Sequence, residues 1–478
     1  MNNIKGLSEN KHSKRLFYGL VLFAVVSLIF AGVFAFLVAM ARTPFIQSIF
    51  PSTDYVRVAL VAHVNLAFVI WFLAFEGALW LLGSTDFLST GVFSPILGWA
   101  GLAASVCGTA VIIAASLLGL GTPLFINYVP VLNHPAFYAG LLLLAAGMLI
   151  LLANVFLTVF YGIKGNGYRG STALVRFGMI ASSIAVFVAF MCFALSFYFK
   201  TSSGAGIGTA DLETLFWGGG HMLQFANTMA MASVWLYLAD VLFKKISIQA
   251  ALGRPVFGLY LASVAFAPFA YLFYDVDTMG YRTVFTRLMQ FGLGPSTVIF
   301  AAVVVASASP GRTSGLYEGI KKLPWRSPEF ASLAMSIVLF ALGGLMSMFI
   351  HGYNTKIPSH YHGAIGGVTA AFMGMAYHLI RNLKGTLYSE KAASIQPYVF
   401  GIGQTLFVLG MFWAGSHGVA RKTFGAAQNL DDPIKLLSMA VFGLGGLVAI
   451  IGGAMFVANA GLSLLRRKAL AEPPGEAA

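Results

Sequence analysis

Apolar residues in this chain come in long blocks, with little alternation and no amphipathic period. Twelve blocks are long enough to cross a bilayer, for which roughly 20 residues suffice. They lie near 17–41, 56–83, 95–119, 135–162, 173–199, 214–243, 253–273, 285–308, 329–350, 360–380, 396–416 and 436–465. Short polar, Gly- or Pro-containing breaks separate them and leave little chain for a soluble domain. The expected fold is all-α, a polytopic membrane protein with twelve transmembrane helices. It forms one unit over 17–467 between polar tails at 1–16 and 468–478. The first block is too long for a signal-peptide core and lacks a small-residue cleavage site, so it is expected to stay as the first helix.

Composition agrees: 58% of the 478 residues are hydrophobic and 9% charged. Positive charge is retained on cytoplasmic loops. With the N-terminus inside, the inner segments hold 20 of the 29 Lys and Arg, including Lys11, Lys14, Arg15, Lys244, Lys321, Arg381 and Arg466. Both termini are therefore expected in the cytoplasm and the protein in the inner membrane. The net charge of +13 reports this topology and gives no support to a nucleic-acid partner. Cys107 and Cys192 fall in mid-helix, which argues against a disulfide framework or a thiolate metal site.

The chemistry is in the histidines. Of nine, His12 lies in the N-terminal tail and His378 near the inner end of the tenth helix; the other seven map to the outer side. His63 is about seven residues into the second helix, roughly 10 Å deep. His221 is at a similar depth in the sixth, and His360 and His362 are in the first turns of the tenth. Histidine is costly inside a membrane and tends to mark a ligand or proton pathway there. One such residue is readily explained as a core side chain bonded to a backbone carbonyl. Four in one layer from three helices point to shared metal or heme chemistry. Heme also accounts for the lack of carboxylate or thiolate clusters, since the porphyrin supplies four ligands and the protein only axial imidazoles. Two residues of helix rotate by about 200°, so His360 and His362 leave opposite sides of one rod and each can hold a different group.

The residues Ser359-His-Tyr-His362, Ala62-His-Val-Asn65, Leu215-Phe-Trp-Gly-Gly-Gly-His-Met222, Asn133-His-Pro-Ala-Phe-Tyr138 and Trp413-Ala-Gly-Ser-His-Gly-Val-Ala-Arg-Lys-Thr-Phe424 resemble subunit I of the heme-copper oxidase superfamily. The resemblance is closest to B-type cytochrome c oxidases and the related nitric oxide reductases, and it covers essentially the whole chain. It implies a low-spin heme held by His63 and His362, a high-spin heme held by His360, and a non-heme metal, iron or copper, at His221. It gives Arg421 and Lys422 the heme propionates, with His351 and His417 as further candidates. His134 is near the same edge, and for all three of these histidines a structural role is the alternative. The implied activity is that of a catalytic subunit of a respiratory terminal reductase. A cytochrome c or cupredoxin subunit would donate electrons to the low-spin heme, which passes them to the high-spin heme, where O2 or NO binds.

The departures from the family pattern bear on the substrate. Oxidases of this family carry an adjacent His-His pair on helix seven; here the stretch Ala267–Thr278 has none, and the lost pair is expected near Leu272 and Phe273. The position of their active-site tyrosine, one turn after His221, is Phe225. Asp275, Asp277, Gln224 and Asn227 are candidate oxygen ligands beside His221. Oxygen ligation favours iron over copper, which tilts the expectation toward NO. Asp275 and Asp277 also read as solvated carboxylates at a helix end. The Gly218-Gly-Gly220 run suits either a close approach to the backbone or a helix start. Glu76, about 13 residues below His63, is either a proton relay from the inner side or a paired structural acid. No inner-side chain of tyrosine and serine is evident. Two other classes fit the same helices: a diheme electron-transfer or gas-binding subunit without turnover, and a secondary transporter, which would be colourless.

Overall fold

A computed structural model describes residue 7 and residues 10–49, 53–85, 91–165, 173–202, 207–244, 249–308 and 321–466. Twelve helices in it are long and apolar enough to cross a membrane: α1 Lys11–Met40, α2 Asp54–Thr85, α3 Pro95–Leu117, α4 Pro135–Gly162, α5 Leu174–Ser202, α6 Thr209–Phe243, α7 Gly253–Phe273, α8 Met279–Ala308, α9 Pro328–Ser347, α10 Lys356–Lys384, α11 Glu390–Ser416 and α12 Pro433–Leu465. Each sequence block thus becomes one helix. α1 already begins at Lys11, inside the expected N-terminal tail, while the expected tail at 468–478 lies outside the described residues.

Capping follows ordinary rules. Ser94, Ser327, Ser389 and Asp432 cap α3, α9, α11 and α12 through side-chain oxygens that accept backbone N–H groups, and Pro occupies the first turn of three of these. Consecutive helices pair most extensively, α3 with α4, α5 with α6, α9 with α10 and α11 with α12. Glycine makes these approaches close. A Cβ on Gly363 of α10 would sit 2.6 Å from the Gly343 Cα of α9, and one on Gly101 of α3 would sit 2.9 Å from the Gly147 oxygen of α4. Small residues at helix seams give van der Waals contact where lipid removes the hydrophobic drive.

Three helices form the centre. The apolar stretches of α2, α6 and α10 are 78%, 83% and 83% buried, against 50% or less in the other nine. These three carry His63, His221, His360 and His362, so the histidine layer lies in the middle of the bundle, toward one end. The loops 41–49, 118–134, 348–355 and 417–432 lie at that end. The loop after α3 forms a small antiparallel hairpin, β1 Thr122–Leu124 paired with β2 Val131–Asn133.

Candidate functional site

The start of α10 is fixed on two sides. Thr355 Oγ1 donates to Met411 O (2.8 Å) and Ser359 Oγ to Val408 O (2.9 Å), tying it to α11. The Gly343–Gly363 contact presses it on α9, and there Gly343 O accepts the Nδ1–H of His360 at 2.8 Å. A carbonyl only accepts, so this bond puts the proton on Nδ1 and leaves the Nε2 lone pair for a ligand. His362, two residues on, faces elsewhere: its ring lies against Phe407 of α11 at 4.9 Å. The opposite-sided arrangement expected from helical rotation is thus observed.

His63 repeats the device. Its Nδ1 donates to Ala31 O of α1 at 3.1 Å, again leaving Nε2 open. Immediately after it α2 widens into a π-helical turn, Asn65–Ile70, a feature often found at functional sites. Asn65 Nδ2 donates both to Val61 O (2.9 Å) and to Pro130 O (2.7 Å), anchoring the turn to the α3–α4 loop.

Above this layer lies a buried basic cluster. Arg421 and Arg42 are 7% and 6% exposed. Arg421 Nη2 donates to Asn127 Oδ1 (3.1 Å) and its guanidinium lies over the Tyr353 ring, while its Nε has no partner among the described residues. Arg42 is held by long bonds of 3.4 Å, to Gln428 Oε1 and Ala420 O. Lys422 Nζ donates to Phe125 O (2.5 Å). Burial, and then Arg421 beside it, pull the Lys422 ammonium down to about 8, which Glu213 only partly offsets; burial pulls the Arg42 guanidinium down to about 10. The carboxylate whose charge reaches Lys422 is Glu213, and its two oxygens are already taken by Asn127 (2.9 and 2.6 Å). A buried charge needs a counter-charge. Sequence reasoning missed Arg42, Asn127 and Glu213. The Arg in the first loop was the available signal for Arg42; nothing in the sequence tied 127 to 213 or 421. His351 and His417 are exposed at this rim, and His134 Nδ1 accepts Ala136 N–H (3.2 Å) at the start of α4, a structural cap.

His221 is fully engaged. Its Nδ1 donates to Trp217 O (2.7 Å), and its Nε2 accepts the hydroxyl of Tyr128 at 3.0 Å. Trp217 and Phe285 complete an aromatic cage, with ring centroids 4.8 and 5.7 Å from the imidazole. Tyr128 is at the tip of the β1–β2 hairpin with φ +68°, in a three-residue turn closed by Val129 N donating to Asn127 O (2.9 Å). Such a turn is rare and strained for a bulky residue, at about 1–3 kcal/mol. The Asn127–Glu213 pair holds it in place. The three glycines each admit an aromatic side chain: Gly218 the hydroxyls of Tyr271 and Tyr281, Gly219 the Phe193 ring and Gly220 the Tyr128 ring. They serve close approach, though to side chains, and lie well inside a helix that starts at Thr209.

The other expected metal ligands are not gathered. Asp277 is 63% exposed and bound to Lys200 Nζ (2.8 Å), which also pairs with Asp211 (2.6 Å). Asp275 is exposed. Neither is a ligand beside His221: both follow α7 at the surface, Asp277 paired with Lys200 and Asp275 exposed. Gln224 and Asn227 stay near His221 on α6 but offer only neutral amides. Leu272 and Phe273 are 71% and 69% exposed, so the expected positions of the lost pair face away from His221. Among the described residues no three His, Cys, Asp or Glu side chains converge as a metal site. The residues therefore fit axial heme ligation and propionate binding, and do not fit a non-heme metal.

Deeper in the bundle Glu76 is fully buried and neither oxygen has a partner among the described residues, which removes the reading as a paired acid. Elsewhere in the bundle the hydroxyls of Tyr260 of α7 and Thr297 of α8 meet at 2.7 Å, a single pair between two helices. The sequence hid it because its members lie on different helices.

The comparisons with known proteins agree with this geometry. An uncharacterised protein of Rickettsia prowazekii is 28% identical, covering 97% of this chain and 99% of its own. One from Aquifex aeolicus is 28% identical over 78% of this chain and 86% of its own. Cytochrome c oxidase subunit 1 of Thermus thermophilus is 26% identical over 74% of this chain and 67% of its own. A solved heme-copper terminal oxidase dimer superposes with a TM-score of 0.79 at 20% identity, over 95% of this chain and 84% of that one, a likeness of fold. The sequence profile of cytochrome C and Quinol oxidase polypeptide I matches residues 15–455. The chain therefore belongs to that family, the heme-copper oxidase subunit I proteins, whose members bind heme, carry a metal centre and serve electron transport as multi-pass membrane oxidoreductases.

Proposed function

We infer that this chain is the catalytic subunit of a respiratory terminal reductase that binds and reduces a small gas at heme iron. The observation that supports it best is the arrangement around α10: His362 turned to α11 against the Phe407 ring, and His360 turned to α9 with its Nε2 open. His63 and His362 would hold a low-spin heme, and His360 would hold a high-spin one. Arg421 and Lys422, with Arg42, would pair with the propionates, whose charge would offset the burial of these cations. Bound there, the hemes supply one-electron transfer and an iron that takes a diatomic gas.

Electrons come from a cytochrome c or cupredoxin subunit at the end that carries loops 41–49 and 417–432, which the Lys/Arg asymmetry makes the outer side. Both termini then face the cytoplasm across the inner membrane. Glu76 takes up protons from the inner side and passes them upward. NO is favoured over O2, because Phe225 stands where a tyrosine would donate and α7 brings no histidine. A second reading, a diheme electron-transfer or gas-binding subunit without turnover, is favoured by the engagement of His221 Nε2 by Tyr128. Heme quantification of the purified protein, followed by NO and O2 consumption with a reduced cytochrome c, tests both. Two hemes and NO uptake are expected. Two hemes without turnover leave the second reading, and a colourless protein refutes both.

A further inference from the structure

We propose that Tyr128 and His221 form a metal-free hydrogen-bonded pair in place of the non-heme metal, so that a gas bound in this protein meets one iron and a phenol–imidazole wall. The inference deepens the proposed function and rests on it.

The geometry is specific. The Trp217 carbonyl takes the Nδ1 proton of His221, so the only lone pair left on the ring is at Nε2, the atom that would bind a metal. Tyr128 spends its single hydroxyl proton on that atom at 3.0 Å. A metal at Nε2 would have to displace the phenol, and Trp217, Phe285 and the Tyr128 ring offer no further ligand around it. Nor does the tyrosine arrive by chance. Its backbone is in the left-handed region at the tip of a hairpin, Asn127 beside it is clamped by both oxygens of Glu213, and Gly220, next to His221, provides a side-chain-free surface on which its ring can lie. Two elements, the α3–α4 loop and α6 through both Glu213 and Gly220, agree on this one contact.

The test is metal counting on the purified full-length protein by mass spectrometry, alongside heme by extraction. Iron equal to heme, with no stoichiometric copper or zinc, and no change in either in His221→Gln, is expected. A metal beyond the heme iron that is lost in His221→Gln overturns the proposal while leaving the heme assignment intact. Absence of heme overturns the proposed function and this inference with it. Tyr128→Phe supplies a second reading that does not depend on turnover. Removing the hydroxyl beside the gas should shift the C–O stretch of the carbon monoxide adduct and leave the absorption bands of the low-spin heme unchanged. An unshifted stretch overturns the placement of the pair at the gas.

Discussion

Gly343→Ala should loosen the heme held by His360 without touching the heme or the histidine. The added Cβ would lie 2.8 Å from both the His360 oxygen and the Gly363 carbonyl carbon, and closer still to Ala364 N. All three are backbone atoms of α10, so no side chain can swing aside and the two helices must separate. Overpacking of this kind costs about 1–3 kcal/mol. Separation also stretches the 2.8 Å bond from His360 Nδ1 to Gly343 O, a loss of about 1 kcal/mol. Ala has a better helix propensity than Gly by roughly 1 kcal/mol, which offsets part of this. The neighbouring Gly344 provides the control, since a Cβ there meets nothing within 4 Å. Gly344→Ala should therefore be neutral or slightly stabilising, and the difference between the two variants, about 2–4 kcal/mol, isolates the seam. Loss of an orienting partner lowers ligand affinity roughly 10- to 100-fold, so Gly343→Ala should purify with the high-spin heme depleted and the low-spin bands retained. Thermal unfolding in detergent and heme content measure the two effects. Equal behaviour of the two alanine variants would refute the claim that the glycine seam positions His360.

Other outcomes follow from the same contacts. His63→Ala should abolish the low-spin absorption bands and leave a high-spin spectrum, as read by optical spectroscopy. Arg421→Met leaves a propionate without its partner and should lower heme retention on washing, by more than Lys422→Met, because Arg421 is the more buried and has an unpartnered Nε. Ser336→Ala removes both the acceptor for Trp235 Nε1 (2.7 Å) and the donor to Gly367 O (2.6 Å), and should cost about 1–3 kcal/mol in thermal stability with heme content unchanged. Glu76→Gln should slow gas reduction in proteoliposomes and leave the spectrum unaltered; an undiminished rate would exclude it from the proton path.

The sequence alone determined the helix count, the all-α class and the four histidines, because a bilayer forces spans of nearly fixed length and makes a buried imidazole expensive enough to stand out against an apolar background. It also determined that His360 and His362 diverge, which is a property of one helix and needs no neighbours. Only the tertiary structure decided what each imidazole meets. The carbonyls of Ala31 and Gly343 that set the ring protons of His63 and His360 come from other helices, and since every residue carries one, no residue type announces them. Asp275 and Asp277 looked like ligands because they follow the family's metal-binding stretch, yet the end of α7 leaves Asp275 exposed and Asp277 paired with Lys200. Tyr128 lay unnoticed in a loop 93 residues before His221. A chain 478 residues long brings such distant pairs together only by folding, and the identity of the group at His221 Nε2 is a consequence of that packing.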